Sequence, residues 1–129
     1  MAESIEQLTI YKLARRLEDE VYDLVKTFPA DQFYGLGNDL RRSSAAVSHH
    51  IMECHRLYSY RLKLDELNAV RREAEATQTN LEKVRETIND HAKTDELIQS
   101  FTDIIKQSWG LTKWLQAKLD ERRAAQEAA

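Results

Sequence analysis

The stretch Ser48–Arg56, SHHIMECHR, holds three of the chain's four histidines and its only cysteine. In a helix, His50 and Cys54 are four residues apart and share a face, and His55 lies one residue further round. Imidazole nitrogen and thiolate sulfur both bind zinc, so this edge offers part of a ligand set. A structural zinc site needs four ligands, however, and there is no second cysteine. His50, Cys54 and His55 are therefore weak metal candidates, and we predict no metal and no cofactor.

Covalent catalysis has less support from the same residues. Cys54 falls on an apolar helical stripe between Ile51 and Tyr58, where a cysteine behaves as a small hydrophobic residue. No glycine-rich loop that could stabilise an oxyanion stands near it. The glycines of YGLGND lack both the GK[ST] ending and the preceding strand of a phosphate-binding loop. We predict that the chain has no catalytic residue and is not an enzyme.

Basic residues concentrate in the middle of a chain whose formal net charge is −3. Between Leu36 and Arg72, seven Lys or Arg residues face four Asp or Glu residues. Arginine binds phosphates, carboxylates and protein partners alike, so this excess fits surface ion pairs, a subunit contact or a nucleic-acid site. The candidate residues for binding RNA or DNA are Arg41, Arg42, Arg56, Arg61, Lys63, Arg71 and Arg72.

Composition predicts the elements that would position these residues. The 129 residues fit one domain, and one proline with three glycines is too few for the turns of a strand-rich fold. A single cysteine is typical of a reducing compartment. The beginning, MAESIEQLTIYK, does not resemble a secretory leader, and no apolar run reaches the roughly 20 residues of a membrane span. We expect a cytoplasmic protein without a membrane segment.

Apolar residues recur every three or four positions in four stretches of the chain. We predict an all-α fold, an antiparallel up-down-up-down four-helix bundle in a single domain spanning 1–129. The predicted helices cover about 4–28, 36–57, 59–90 and 94–121, followed by a frayed tail at 122–129.

Local signals set these boundaries. Pro29 ends the first helix, and Gly35 and Gly37 are expected to adopt turn conformations closed to other residues. Ser59 is predicted to cap the third helix and Thr94 the fourth.

The aromatic residues are more numerous than one thin bundle core can hold. Trp109 and Trp114 are five residues apart, or about 140° round a helix, so they cannot both lie centrally on one stripe. One of them is expected at the rim of the bundle or in an interface between subunits.

The segment TFPADQFYGLGNDLRRSSAAVSHHIMECHR resembles the second-helix region of a family of small four-helix bundles. These are the proteins first noted as open reading frames in 23S rRNA intervening sequences, or S23 ribosomal protein-like proteins. The similarity rests on Phe28-Pro29, Tyr34-Gly35-Leu36, Arg41-Arg42, the small residues 43–47, Ile51 and Glu53. Three features depart from the family pattern: His50 stands in the usual place of asparagine, Cys54 in that of glycine, and Arg71-Arg72 where the family tends to have small residues.

The resemblance implies an all-α bundle that assembles into a ring, with a homopentamer as the expected form, and no known enzymatic activity. Related accessory proteins of diversity-generating retroelements bind nucleic acid through a basic surface. The resemblance therefore leaves two functions open: a non-enzymatic oligomeric scaffold or adaptor, and a module that binds structured RNA through a basic patch on helices two and three.

Overall fold

Four long helices form almost all of the described chain. The computed structural model describes residues 8–88 and 91–128, and within them there is no strand. The helices are α1 (Thr9–Val25), α2 (Asn38–Arg56), α3 (Tyr60–Arg85) and α4 (His91–Ala128). α1 packs against α2 and α4, and α3 packs against the same two helices. The predicted all-α four-helix bundle is confirmed.

Side-chain contacts show how neighbouring helices are aligned. Four such pairs are Ser43–Thr77 and His50–Glu66 between α2 and α3, and Arg71–Ser108 and Arg85–Asp95 between α3 and α4. In both sets, residue numbers rise along one helix as they fall along the next. The paired helices therefore run in opposite directions, which brings the link between α2 and α3 to the same end of the bundle as the last part of α4.

All four helices contribute to one apolar core, as the three- and four-residue periodicity predicts. The largest fully buried side chains are Leu17, Val21, Val25, Leu40, Val47, Leu67, Val70, Leu81, Val84, Leu97, Phe101 and Ile104. Ser43 is also buried, and Thr77 donates a hydrogen bond to its hydroxyl at 2.7 Å. A small polar residue here lets α2 and α3 approach while both hydroxyls are satisfied.

The segment expected as a turn is helical. Ala30–Gln32 forms a short α-helical piece that leads into a π-helical turn at Phe33–Gly37 and then into α2. None of the glycines has a positive φ, so the turn conformations predicted for Gly35 and Gly37 are wrong. Gly37 is needed for space instead, because a Cβ there would lie 2.9 Å from Val25 Cγ1. Pro29 has extended backbone and separates α1, which already ends at Val25, from the short helical piece that follows.

Apart from the tail, three helix boundaries differ from the predictions by three residues or more: α1 ends at Val25 and not at 28, α3 ends at Arg85 and not at 90, and α4 begins at His91 and not at 94. The predicted start at residue 4 lies outside the described residues, and α1 ends at Val25 because the amides of Thr27 and Phe28 bond three residues back rather than four. Ser59 caps α3 as predicted, accepting a hydrogen bond from the Leu62 amide at 3.3 Å. Thr94, the predicted cap, lies inside α4, which begins at His91.

The tail predicted to fray continues as helix to Ala128. Its residues are mostly Ala, Arg, Glu and Gln, which have high helix propensity and need no packing to favour helix. α4 therefore has 38 residues against 17 in α1. From Gln116 onward all its described residues are exposed except Lys118 and Leu119, which are half-buried. No helix in residues 8–88 and 91–128 is both long and apolar enough to cross a bilayer.

Candidate functional site

The histidines and the cysteine of α2 do not converge on one point. The imidazole of His50 faces α3, with Nδ1 2.6 Å from Glu66 Oε2, whereas Cys54 and His55 line an apolar cavity at the end of the bundle. Lys63 donates from its ammonium group to the carbonyl oxygens of Cys54 and His55 at 2.6 and 3.3 Å. Within the described part of the chain, no group of three His, Cys, Asp or Glu residues has a geometry that could hold a metal ion.

Cys54 is half-buried in the wall of this apolar cavity. Burial raises the pKa of its thiol; nearby Lys63 opposes that change and Glu66 adds to it. A reactive cysteine requires the opposite shift, because the thiolate is the nucleophile. The apolar position of Cys54 on α2, inferred from the sequence, accounts for this environment.

Arg71 lies between α3 and α4 and is only 6% exposed. Its guanidinium donates to Ser108 Oγ at 3.1 Å, to Thr112 Oγ1 at 2.9 Å and to the side chain of Asn68. It also stacks on the ring of Trp109, with Cζ 3.8 Å from the ring centroid. Burial lowers the pKa of Arg71. These contacts direct its donors to groups of the same chain.

The remaining predicted cations fall into separate groups along the bundle. Arg41 and Arg42 begin α2, about 22 Å along the helix from Arg56. Arg41 stacks on Tyr22 at 5.0 Å, and Arg42 pairs with Asp39. Both arginines line an open cleft of about 720 Å³ between α1 and α2, and acidic side chains line the same cleft.

Arg56, Arg61 and Lys63 lie at the opposite end, next to the link between α2 and α3. Arg56 pairs with Glu53, and the hydrogen bond between them lowers the pKa of that carboxyl group. Arg61 and Arg72 are exposed, and neither forms an ion pair within residues 8–88 and 91–128. Arg72 lies near mid-height on α3, so the seven predicted residues do not make one continuous patch.

The charges divide between the two ends of the bundle. The contact pairs above set mid-height near residues 46, 71 and 107 of α2, α3 and α4, and the contact of Tyr22 with Arg41 sets it near residue 16 of α1. The half that holds the α2–α3 link (8–16, 47–71 and 108–128) contains eleven Lys or Arg and six Asp or Glu residues. The other half (17–46, 72–88 and 91–107) contains eight and thirteen. The fold thus places an excess of five positive charges at one end and five negative charges at the other.

We use the name link surface for six residues at the basic end, of which four are exposed (Arg56, Tyr58, Arg61 and Arg122) and two half-buried (Tyr60 and Lys118). Tyr58 is 97% exposed, although the adjacent helices begin and end within two residues of it. The guanidinium of Arg122 stacks over the ring of Tyr60 at 4.1 Å, and the ammonium of Lys118 lies 5.6 Å from the ring centroid of Trp114. Cations and aromatic rings therefore alternate across this surface.

An apolar cavity of about 310 Å³ opens beside the link surface. All four helices line it, with Ile10 from α1, Ile51 from α2, Leu67 from α3 and Leu115 from α4 among the residues. Trp114, which is 54% exposed, stands at its edge in a tilted contact with Tyr60 at 6.2 Å.

Sequence reasoning missed Lys118 and Arg122 because they are distant from the central basic stretch. The available signal was the doublet Arg122-Arg123 in a segment of strong helix formers. Because α4 continues as helix through this doublet, the doublet lies at the end of the bundle that holds the link between α2 and α3. The pairing of α4 with α3, which no local pattern shows, then brings Arg122 to Tyr60.

The arrangement of helices agrees with comparisons to known proteins. The family model for 23S rRNA-intervening sequence proteins matches residues 6–110. The chain belongs to this family. A similar solved structure is a protein of unknown function from the S23 ribosomal protein family of Bacteroides thetaiotaomicron VPI-5482. It has 18% sequence identity and a TM-score of 0.74, and the match covers 81% of this chain and 99% of that chain. No curated protein matches the chain.

The family match confirms the resemblance inferred from the second-helix region. The matched residues contain α1, α2, α3 and the first part of α4, but they end before Lys118 and Arg122. The basic residues contributed by the end of α4 are thus a feature of this chain outside the matched region.

Proposed function

We propose that this family member is a non-enzymatic homo-oligomer, a scaffold or adaptor that assembles as a ring, with five copies as the expected number. The proposal rests on a group of exposed apolar side chains beside the apolar cavity at the basic end of the bundle. Leu62, Leu111 and Trp114 are each more than one third exposed, and the last two line the cavity. The single cysteine supports a cytoplasmic location.

A second copy of the chain is the occupant we propose for this group. Neighbouring large apolar side chains at a half-open cavity are typical of association sites rather than of an isolated surface. Tryptophan is enriched in the cores of interfaces, where its area is removed from water. Trp114 already contacts Tyr60 on one side, which holds its ring in place for a partner.

Native mass spectrometry and light scattering test the assembly. We expect a single species of five times the 15.0 kDa chain mass, independent of protein concentration in the micromolar range. Trp114→Ser should reduce the mass, whereas Tyr34→Ser, a matched change of an exposed aromatic residue at the acidic end, should not. A monomer for the unmodified chain would refute the proposal.

Binding of structured RNA is the second candidate function, and the charge separation between the two ends favours it. A local excess of Lys and Arg attracts phosphate even when the net charge of the chain is negative. Copies arranged in parallel round a ring would add their basic ends on one face and bind by multivalency. The test is RNA binding across a salt series, because phosphate contacts weaken steeply with salt. Weak binding that does not change with salt would rule this function out.

A further inference from the structure

We propose that the link surface binds unpaired nucleotides, with a base stacked on Tyr58 and the adjoining phosphates at Arg61 and Arg122. The proposal rests on the nucleic-acid candidate above and gives it a location and a ligand class. It also leaves Arg41 and Arg42, at the acidic end, out of the contact.

Tyr58 provides the stacking face. Folding buries almost none of its ring, since it is 97% exposed in the extended link between α2 and α3. Every base has a π face, so an exposed aromatic ring in a basic setting binds single strands with little dependence on sequence. Tyr34 is also strongly exposed, at 74%, but it lies in the acidic half near Asp31 and Asp39. Of these two tyrosines, Tyr58 is the one that lies in the half with a surplus of cations.

Arg61 and Arg122 provide the phosphate contacts. Arg61 is exposed three residues after Tyr58, and it forms no ion pair with any described residue. The guanidinium of Arg122 lies over the ring of Tyr60, a contact that restrains it, and a guanidinium has five N–H donors available for phosphate oxygens. Arg56 and Lys118 are nearby but pair with Glu53 and Glu121, so their charge is partly neutralised.

Lys63 has a different role in this surface. The last carbonyl groups of a helix carry partial negative charge, which would repel a phosphate at the end of α2. The Lys63 ammonium binds two of these carbonyl groups, those of Cys54 and His55. We assign Lys63 as a positioning residue that neutralises the end of α2, while Arg61 and Arg122 face the ligand.

Fluorescence anisotropy with a labelled RNA hairpin tests the proposal, using the full-length protein. The hairpin has a single-stranded loop, and a blunt duplex of the same stem and a single-stranded DNA of the loop sequence serve as comparisons. We expect the hairpin and the single strand to bind more tightly than the duplex, because a paired base cannot reach Tyr58. Equal binding of the duplex would overturn the stacking proposal.

The variants Tyr58→Ala and Arg61→Gln are matched with Tyr34→Ala and Arg42→Gln at the acidic end. Loss of one stacked base should weaken hairpin binding by roughly five- to one-hundred-fold for Tyr58→Ala. Arg61→Gln should lower the slope of log affinity against log salt by about one. Both acidic-end variants should bind like the unmodified protein. Circular dichroism and mass of each variant establish that fold and assembly are kept.

The possible results distinguish failure of the nucleic-acid function from failure of the link surface as the place where nucleic acid binds. No RNA binding by the unmodified protein at low salt would overturn both the nucleic-acid function and this surface. Salt-dependent binding that Tyr58→Ala and Arg61→Gln leave intact would overturn the surface alone. Equal losses from Tyr34→Ala and Tyr58→Ala would do the same, since the charge difference between the ends would then have no effect.

Discussion

Replacing Gly37 with alanine tests the close contact between α1 and the segment that leads into α2. Gly37 has helical backbone angles, φ −61° and ψ −45°, so alanine is compatible with its conformation. The new Cβ would nevertheless lie 2.9 Å from Val25 Cγ1 and 3.5 Å from Phe28 Cδ2. Val25 is fully buried and its β-branched side chain is restricted at χ1, so its methyl group cannot turn out toward solvent.

The magnitude follows from two opposing effects. Overpacking a core position costs about 1–3 kcal/mol, whereas alanine is favoured over glycine in a helix by about 1 kcal/mol. We therefore expect Gly37→Ala to lower the free energy of unfolding by up to about 2 kcal/mol. Gly110 is the matched control, because it is also helical but a Cβ there meets nothing within 4 Å. Gly110→Ala should raise the free energy of unfolding by about 0.5–1 kcal/mol.

Urea unfolding followed by circular dichroism, at one fixed protein concentration, measures both variants. A double-mutant cycle with Val25→Ala adds a direct test of the contact. If the methyl group of Val25 is the obstacle, the cost of Gly37→Ala should fall by more than about 0.5 kcal/mol in the Val25→Ala background. Stabilisation by Gly37→Ala equal to that by Gly110→Ala would refute the steric argument.

Three further predictions concern buried polar groups. Ser48 Oγ is buried without a hydrogen-bond partner among the described residues, so Ser48→Ala should be neutral or stabilising, whereas Ser43→Ala should cost about 1 kcal/mol in urea unfolding. Arg71→Lys should cost about 1–3 kcal/mol, because lysine cannot reproduce the forked donors and the stack on Trp109, and Trp109 fluorescence should change with it. Because the pKa of Cys54 is raised by burial, less thiolate is present in the folded than in the unfolded chain at the same pH. Its alkylation at pH 8 should be slower than in denaturant and should accelerate as pH rises, and equal rates would contradict the burial.

The candidate site was only partly predictable from the sequence. The basic stretch that ends at Arg72 included Arg56 and Arg61, which both lie at the link end of the bundle. It also included Arg71, because residue type and spacing do not distinguish an exposed arginine from one buried against Ser108 and Thr112. The burial of Arg71 depends on which side of α3 faces α4, and this is a property of the packed helices.

Local chemistry determined the secondary structure wherever the deciding interaction lies within a few residues. The apolar periodicity defined four helices, and the cap at Ser59 is a hydrogen bond to Leu62, three residues away. The family was evident from the segment that contains Tyr34-Gly35-Leu36 and Arg41-Arg42. These features need no knowledge of the partner helix, and so the sequence alone was sufficient for them.

Tertiary structure decided the features that depend on distant residues. The reason why position 37 is a glycine is the proximity of Val25, and the conformation of residue 37 itself does not require it. The link surface exists because α4 continues as helix to the level of Tyr60, the first residue of α3. This brings Arg122 into contact with Tyr60, which lies 62 positions earlier in the sequence. The charge separation has the same origin, because antiparallel packing gathers basic residues of α1, α2, α3 and α4 that are far apart along the chain.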